Sequence, residues 1–310
     1  MVSLSGSPGP SGETATLRKV PRRPYAQWIL ASALVAITVQ FAATILRNPN
    51  IDFSVIGRYL FAPEVIDGLR NTLVLTAAAM LVAMVLGVAI AALRTSHNAV
   101  YRSLSRIYVW IFRSVPALLM LVIWFNLALV FENLTLGIPG TSLVIGEWQT
   151  NDVLTPFIAS LLALGLAESA FYSEIVRGGL LGVDSGQREA AKALGMNPFQ
   201  TFRLVIFPQA LRMIVPPTGN EIIGMLKYTS LASIIGFTDL MGTAQQIYST
   251  NLLTIELLLT VCVWYIVCTS VLGLGQYFVE RRYGRGYGSS DPRPYWRVLA
   301  PAFRFRSNTR

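Results

Sequence analysis

Apolar residues fall along this chain in six stretches, each long enough to cross about 30 Å of hydrocarbon as a helix of about 20 residues. The stretches cover residues 25–46, 69–93, 107–131, 154–176, 213–237 and 254–279. Pro216, Pro217 and Gly219 predict an interruption of the helix in the fifth stretch. The pattern therefore predicts an all-α integral membrane protein with six transmembrane helices.

One polar segment, residues 184–208, separates the fourth and fifth stretches and is called the polar hairpin below. Asp184 followed by Gln187 predicts a capping box at the start of a first short helix. Gly195 supplies the left-handed residue that commonly ends a helix. Asn197 with Gln200 predicts a second capping box. The second helix has an apolar face formed by Phe199, Phe202 and Ile206. The segment is predicted to form two short helices that meet at a glycine corner and dock against another protein.

Composition and charge agree with a membrane protein. Hydrophobic residues make up 53% and charged residues 13% of the chain, which is too apolar for an ordinary soluble domain. Most of the 25 lysines and arginines lie before the first stretch, between the second and third, between the fourth and fifth, or after the sixth. Because positively charged connections stay in the cytosol, both termini and the polar hairpin are predicted to be cytosolic, in a multi-pass plasma-membrane protein.

The sequence offers no residues for ATP hydrolysis or metal catalysis. A phosphate-binding loop needs a lysine directly after a glycine, and none of Lys19, Lys192 and Lys227 follows one. The only histidine, His97, has no cysteine or second histidine near it. We therefore expect no catalytic site, no metal site and no cofactor on this chain, so that a process driven by ATP would need a partner subunit.

The polar hairpin resembles the loop by which ABC importer permeases, the membrane subunits of these transporters, bind a separate ATPase. The resemblance rests on Glu189-Ala190-Ala191, Gly195 and Phe207-Pro208, with Val205 and Phe207 where isoleucine and leucine are usual. Further segments resemble the polar amino acid uptake branch of that family, namely residues 71–76, 112–116, 172–179, 207–212 and 227–231. The resemblance extends over residues 67–282.

Membership of that family would imply a subunit that translocates a polar amino acid into the cytosol by alternating access. ATP and Mg would be bound by cytosolic ABC ATPase subunits. These would dock at Arg188, Glu189, Ala190, Ala191, Gly195, Phe199 and Phe202. The other partners would be a second permease subunit, either the same chain or a paralogue, and an extracytoplasmic solute-binding protein. The residues alone leave two other classes open, an ion-gradient-driven secondary transporter and a non-transporting membrane scaffold.

Five segments follow from composition and resemblance. Residues 1–24, rich in Ser, Gly and Pro, are predicted to be a disordered cytosolic tail, and residues 25–47 a transmembrane helix additional to the five of many relatives. Residues 48–67 form an extracytoplasmic connection, in which residues 55–61 could form an interfacial helix. Residues 68–282 are the ABC transmembrane type-1 domain. Residues 283–310 form a basic cytosolic tail, which we interpret as resting on membrane lipid rather than binding nucleic acid.

Polar side chains inside the apolar stretches are candidates for the substrate path, since a charge at the centre of a membrane helix costs at least about 2.5 kcal/mol. Glu168 lies near the middle of the fourth stretch. The other candidates are Asn126, Ser169, Tyr172, Asn220, Glu221, Lys227, Thr229 and Ser230. Glu168 and Lys227 could hold opposite ends of an amino acid, or they could form an ion pair that braces two helices; the sequence leaves both open. Glu174 and Arg177, three residues apart, predict an intrahelical ion pair.

Overall fold

A computed structural model of the chain describes residues 25–49, 51–137 and 144–283. The helices are α1 Tyr25–Leu46, α2 Phe53–Leu60, α3 Pro63–Arg94, α4 Ala99–Ser114, α5 Ala117–Phe125, α6 Thr150–Val153, α7 Pro156–Leu181, α8 Ser185–Ala193, α9 Pro198–Gln200, α10 Phe207–Tyr228, α11 Leu240–Asn251 and α12 Thr254–Tyr283. The chain divides into two compact units at residues 51 and 52, and the first unit contains α1. The predicted tail 1–24 and nearly all of the predicted tail 283–310 lie outside the described residues.

Three of the described helices are long and apolar enough to cross a membrane, namely α3, α7 and α12. A fourth span is formed if α4 and α5 are counted together, but these helices meet at 99°. The prediction of one continuous helix over residues 107–131 was therefore wrong. The cause is Pro116, which lacks an N–H group and disfavours helical backbone at the residue before it. Val115 is accordingly extended, with φ −94 and ψ 128.

The predicted interruption of the fifth stretch was also misplaced. Helix α10 continues through Pro216 and Pro217 without a break. Membrane helices tolerate proline where neighbouring groups satisfy the carbonyl that it frees. Departures from α-helical geometry occur instead at both ends of α10, as a π-helix over Thr201–Ile206 and a 3-10 helix over Thr229–Ile235. Helix α10 is more polar than α3, α7 and α12, and it is not among the apolar spans.

Two further elements modify the predicted architecture. A two-stranded antiparallel hairpin, β1 Asn133–Gly137 and β2 Val144–Gln149, lies between α5 and α7, so the all-α prediction missed it. The interfacial helix considered for residues 55–61 corresponds to α2. Asp52 caps it by accepting a hydrogen bond from the Ser54 backbone N–H at 2.9 Å. Hydrogen bonds from the side chain and backbone of Ser54 lower the pKa of this carboxyl.

Close packing of α3 against α7 forms the centre of the second unit. Small residues make this possible: a Cβ atom at Gly87 would stand 3.0 Å from the Ser169 carbonyl oxygen and 2.9 Å from the Tyr172 ring. A Cβ atom at Gly165 would likewise stand 2.9 Å from the Val82 side chain. Small residues at helix interfaces let the backbones approach, which is how membrane helices gain van der Waals contact. The contact places most of residues 165–172 of α7 in the interior of the bundle.

We expect Gly87→Ala to destabilise the helix bundle, because the new methyl group would meet backbone as well as side chain. Overpacking of this kind costs about 1–3 kcal/mol. Gly178→Ala is the matched control, since no atom lies within 4 Å of its added Cβ. Thermal unfolding of both variants in detergent checks the prediction. Equal melting temperatures for the two alanine variants would contradict close α3–α7 packing.

Candidate functional site

The polar hairpin begins with α8 and turns at a glycine, as predicted. Asp184 caps α8 through a hydrogen bond from the Gly186 N–H to its Oδ1 at 2.8 Å. The predicted box with Gln187 was wrong, because the Gln187 side chain instead accepts a hydrogen bond from Gln209 Nε2 at 3.4 Å. Gly195 has φ +72, the left-handed conformation that ends the helix. Only at this corner does the hairpin depend on glycine's conformational freedom.

The second capping box is confirmed, and it starts α9. The Gln200 N–H donates to Asn197 Oδ1 at 2.9 Å, and the Asn197 N–H donates to Gln200 Oε1 at 3.0 Å. Around this box the hairpin exposes apolar side chains: Leu194 is 81% exposed and Phe199 is 68% exposed. The hairpin therefore combines a hydrogen-bonded corner with an uncovered apolar surface, which suits docking of another protein.

An ion cluster lies behind the hairpin and connects three helices. Glu174 of α7 accepts from Arg177 Nε at 2.8 Å, which confirms the predicted intrahelical pair. It also pairs with Arg94 at the end of α3, and Arg113 of α4 lies 3.8 Å away. The sequence did not predict these two partners of Glu174. Arg94 contributed only to the charge that predicts topology, and Arg113 only to segment 112–116, which resembles the polar amino acid uptake branch. The available signal was an arginine in the last turn of both α3 and α4, which could have indicated acidic partners nearby.

A cavity of about 350 Å³ lies beside α7. The sharp bend between α4 and α5 contributes residues 112–117 to its wall, and α7 and α10 contribute the rest. Its lining is apolar apart from Arg113, Ser114, Glu168 and the Tyr228 hydroxyl. Glu168 is 6% exposed, and its Oε1 has no hydrogen-bond partner in the described part of the chain. A buried carboxyl group with an unpartnered oxygen is costly in a membrane helix, which keeps Glu168 a candidate for contact with substrate.

The carboxyl group of Glu221 on α10 interacts electrostatically with the carboxyl group of Glu168. Lys227 is exposed on the surface of α10, and the described residues contain no ion pair between it and Glu168. The idea that these two side chains brace α7 and α10 was therefore wrong. The rotation of α10 about its axis brings Glu221 towards α7 and turns Lys227 away from it, a difference that residue spacing alone did not settle.

The remaining substrate-path candidates take different places. Ser169 and Tyr172 are buried in helix packing, where the hydroxyl groups of Ser169 and Tyr108 lie 2.8 Å apart. Thr229 is buried and donates to the Leu226 carbonyl. Asn126, Asn220 and Ser230 make hydrogen bonds to Val122, Gln276 and Lys227, respectively. Of the nine candidates, Glu168 alone lines the cavity described above.

Comparison with protein families decides the class of this molecule. Residues 71–285 match the family described as binding-protein-dependent transport system inner membrane component. The chain belongs to this family. It is a permease subunit of the ABC importer type, as its sequence predicted, and this class is favoured over a secondary transporter or a scaffold.

Similar proteins include permeases with named substrates. The permease is 36% identical over 283 residues to the arginine transport system permease protein ArgU of Corynebacterium glutamicum, covering 90% of this chain and 87% of that one. It is 34% identical over 210 residues to the nopaline transport system permease protein NocM of Agrobacterium fabrum, covering 68% and 83%. A crystal structure of an amino acid ABC transporter with histidines superposes with a TM-score of 0.64 at 33% identity, covering 75% of the permease and 99% of that chain.

Proposed function

We propose that this permease imports a polar amino acid with a cationic side chain into the cytosol by alternating access. A cytosolic ABC ATPase, which binds ATP and Mg, docks on the polar hairpin, and a solute-binding protein delivers substrate from outside. A second permease subunit completes the path. The proposal depends on one observation: the polar hairpin and the cavity with its buried carboxyl group both adjoin α7 and α10. The exposed hairpin connects these helices, and Glu168 of α7 lines the cavity and interacts with the carboxyl group of Glu221 on α10.

The carboxyl groups support a cationic substrate. Glu168 and Glu221 interact with each other, and Oε1 of Glu168 lacks a hydrogen-bond donor in the described residues. A guanidinium or ammonium group would supply donors and opposite charge to both carboxyl groups. The relative named for arginine transport agrees with this choice. An acidic substrate side chain would instead face repulsion in the same place.

Coupling would run through the helices that flank the hairpin. Movement of α8 and α9 would be passed to α7 and α10, and the Glu174 cluster would carry it to α3 and α4. Opening and closing of the cavity would follow from this movement without covalent chemistry on the permease.

The six-span arrangement is part of the proposal. It consists of α1, α3, the bent pair α4–α5, α7, α10 with its following 3-10 helix, and α12. Arg94, Arg106, Arg113 and Arg177 gather where the hairpin lies, and this charge supports a cytosolic hairpin and cytosolic termini.

Uptake into proteoliposomes tests the function. The vesicles contain the permease with its partner subunit, ATPase and binding protein, and radiolabelled arginine is added outside. We expect uptake that stops when internal ATP is depleted and continues when ionophores collapse ion gradients. Unlabelled lysine is expected to compete, whereas glutamate is not. Uptake that follows an ion gradient, or equal competition by glutamate, would contradict the energy source or the substrate class, respectively.

A further inference from the structure

Two adjoining cavities next to the polar hairpin are lined by arginine side chains. The first has a volume of about 560 Å³ and is bordered by α3, α4, α7, α8 and the π-helix; its arginines are Arg94, Arg106, Arg177 and Arg188. The second, of about 290 Å³, shares Arg94 and Arg106 with the first and adds Arg113. No acidic side chain appears among the described lining residues of either cavity. The two cavities together are called the arginine groove.

The positive charge of the arginine groove is only partly compensated within the described chain. Glu174 is the acidic partner of Arg94, Arg113 and Arg177, so one carboxylate faces three guanidinium groups. The Arg188 guanidinium donates to the Leu180 carbonyl oxygen at 3.0 Å. Arg106 is exposed and has no hydrogen bond or ion pair within the described residues. This arrangement favours an anion with several acceptor oxygens, such as a phosphate group.

An apolar surface borders the same groove. Trp110 lines the second cavity and is 70% exposed, while Leu104 and Ile107 are exposed on the same helix. Tryptophan is enriched where membrane meets water, and its neighbours offer contact to hydrocarbon. A soluble anion would use the arginines but not this surface. A phospholipid would use both, with its headgroup on the arginines and its acyl chains along α4.

We propose that the arginine groove binds the phosphate headgroup of an anionic phospholipid, with Arg106 as the cation available to it. Basic pockets between membrane helices recognise such headgroups by this charge pattern. The lipid headgroup would contact both α4, through Arg106, and the polar hairpin, through Arg188. The lipid would therefore support the hairpin from the membrane side. This role goes beyond transport, which by itself requires no lipid at this place.

Native mass spectrometry of the full-length permease, delipidated in neutral detergent, tests the proposal by titration with phosphatidylglycerol. We expect saturable binding that exceeds binding of phosphatidylcholine, and Arg106→Gln is expected to weaken it roughly fivefold, the effect of one surface arginine. Arg212→Gln is the matched control, because Arg212 is exposed on α10 outside the groove. Its affinity for phosphatidylglycerol should equal that of the unmodified protein.

Each other outcome would overturn the proposal. Unchanged binding in Arg106→Gln, or an equal loss in Arg212→Gln, would mean that the arginine groove is not the lipid site. Equal binding of glycerol phosphate, which has no acyl chains, would identify a soluble anion as the ligand. Loss of bound phosphatidylglycerol when the ATPase is added would identify a protein as the occupant. None of these results depends on the transported substrate.

Discussion

A Gly195→Val permease is expected to insert into the membrane and to lose coupled uptake. Gly195 adopts φ +72, and the left-handed conformation costs an L-residue roughly 1–2 kcal/mol, with a greater cost for a β-branched side chain. The strain should move residue 195 out of the left-handed conformation and so change the orientation of α9 relative to α8. We expect uptake in proteoliposomes to fall at least about tenfold, which corresponds to about 1.4 kcal/mol. ATPase activity should no longer respond to the substrate-loaded binding protein.

The Gly195→Asn variant provides the matched control for this experiment. Asparagine enters the left-handed region more readily than valine, so Gly195→Asn should retain most uptake. No atom lies within 4 Å of a Cβ placed at residue 195, so a steric clash inside the chain would not explain a difference between the two variants. Normal uptake by Gly195→Val would remove the case for a rigid corner.

Replacement of Glu168 by glutamine is expected to raise the KM for arginine uptake by roughly ten- to a hundredfold, because a hydrogen bond to a charged group contributes about 1.5–3 kcal/mol. Initial rates of arginine uptake measure this change. Thermal stability should not fall, since glutamine has nearly the same size and removes a buried carboxyl whose Oε1 has no partner within the described residues. A loss of uptake without a loss of stability separates substrate binding from a structural role.

Glu256→Gln is the control for Glu168→Gln. Glu256 is equally buried at 6% exposure, but it lies at the start of α12 and accepts a hydrogen bond from the Asp52 N–H at 3.3 Å. Glutamine can still accept that bond, so arginine uptake should be unchanged. Glu221→Gln should resemble Glu168→Gln because the two carboxyl groups interact with each other. Unaltered KM in both Glu168→Gln and Glu221→Gln would refute the carboxyl pair as the cation site.

These two predictions concern separate parts of the permease. The glycine corner is exposed on the polar hairpin, whereas Glu168 lies inside the bundle on the helix that leads to it. Helix α7 contains both Glu168 and the ion-paired Glu174, six residues apart along one rigid element. In the proposed mechanism, movement of the polar hairpin would reach the cavity through this helix and the salt bridges at its end.

Local chemistry made much of the permease predictable. The corner at Gly195, the capping box at Asn197 and the ion pair between Glu174 and Arg177 depend on residues a few positions apart. The apolar stretches predicted α3, α7 and α12 because a membrane helix satisfies its own backbone hydrogen bonds. The motif of the polar hairpin also indicated the family, since its spacing is set within two short helices.

Only the tertiary structure decided how these elements meet. The sequence by itself determined which residues are apolar, where short helices begin and that the hairpin resembles a docking loop. It did not determine the 99° bend at Pro116, because a proline can also lie within a continuous helix, as Pro216 does. Packing of α7 against α10 placed Glu221 rather than Lys227 beside Glu168. Helix rotation and crossing depend on contacts between distant residues, and a single sequence carries no direct record of those contacts.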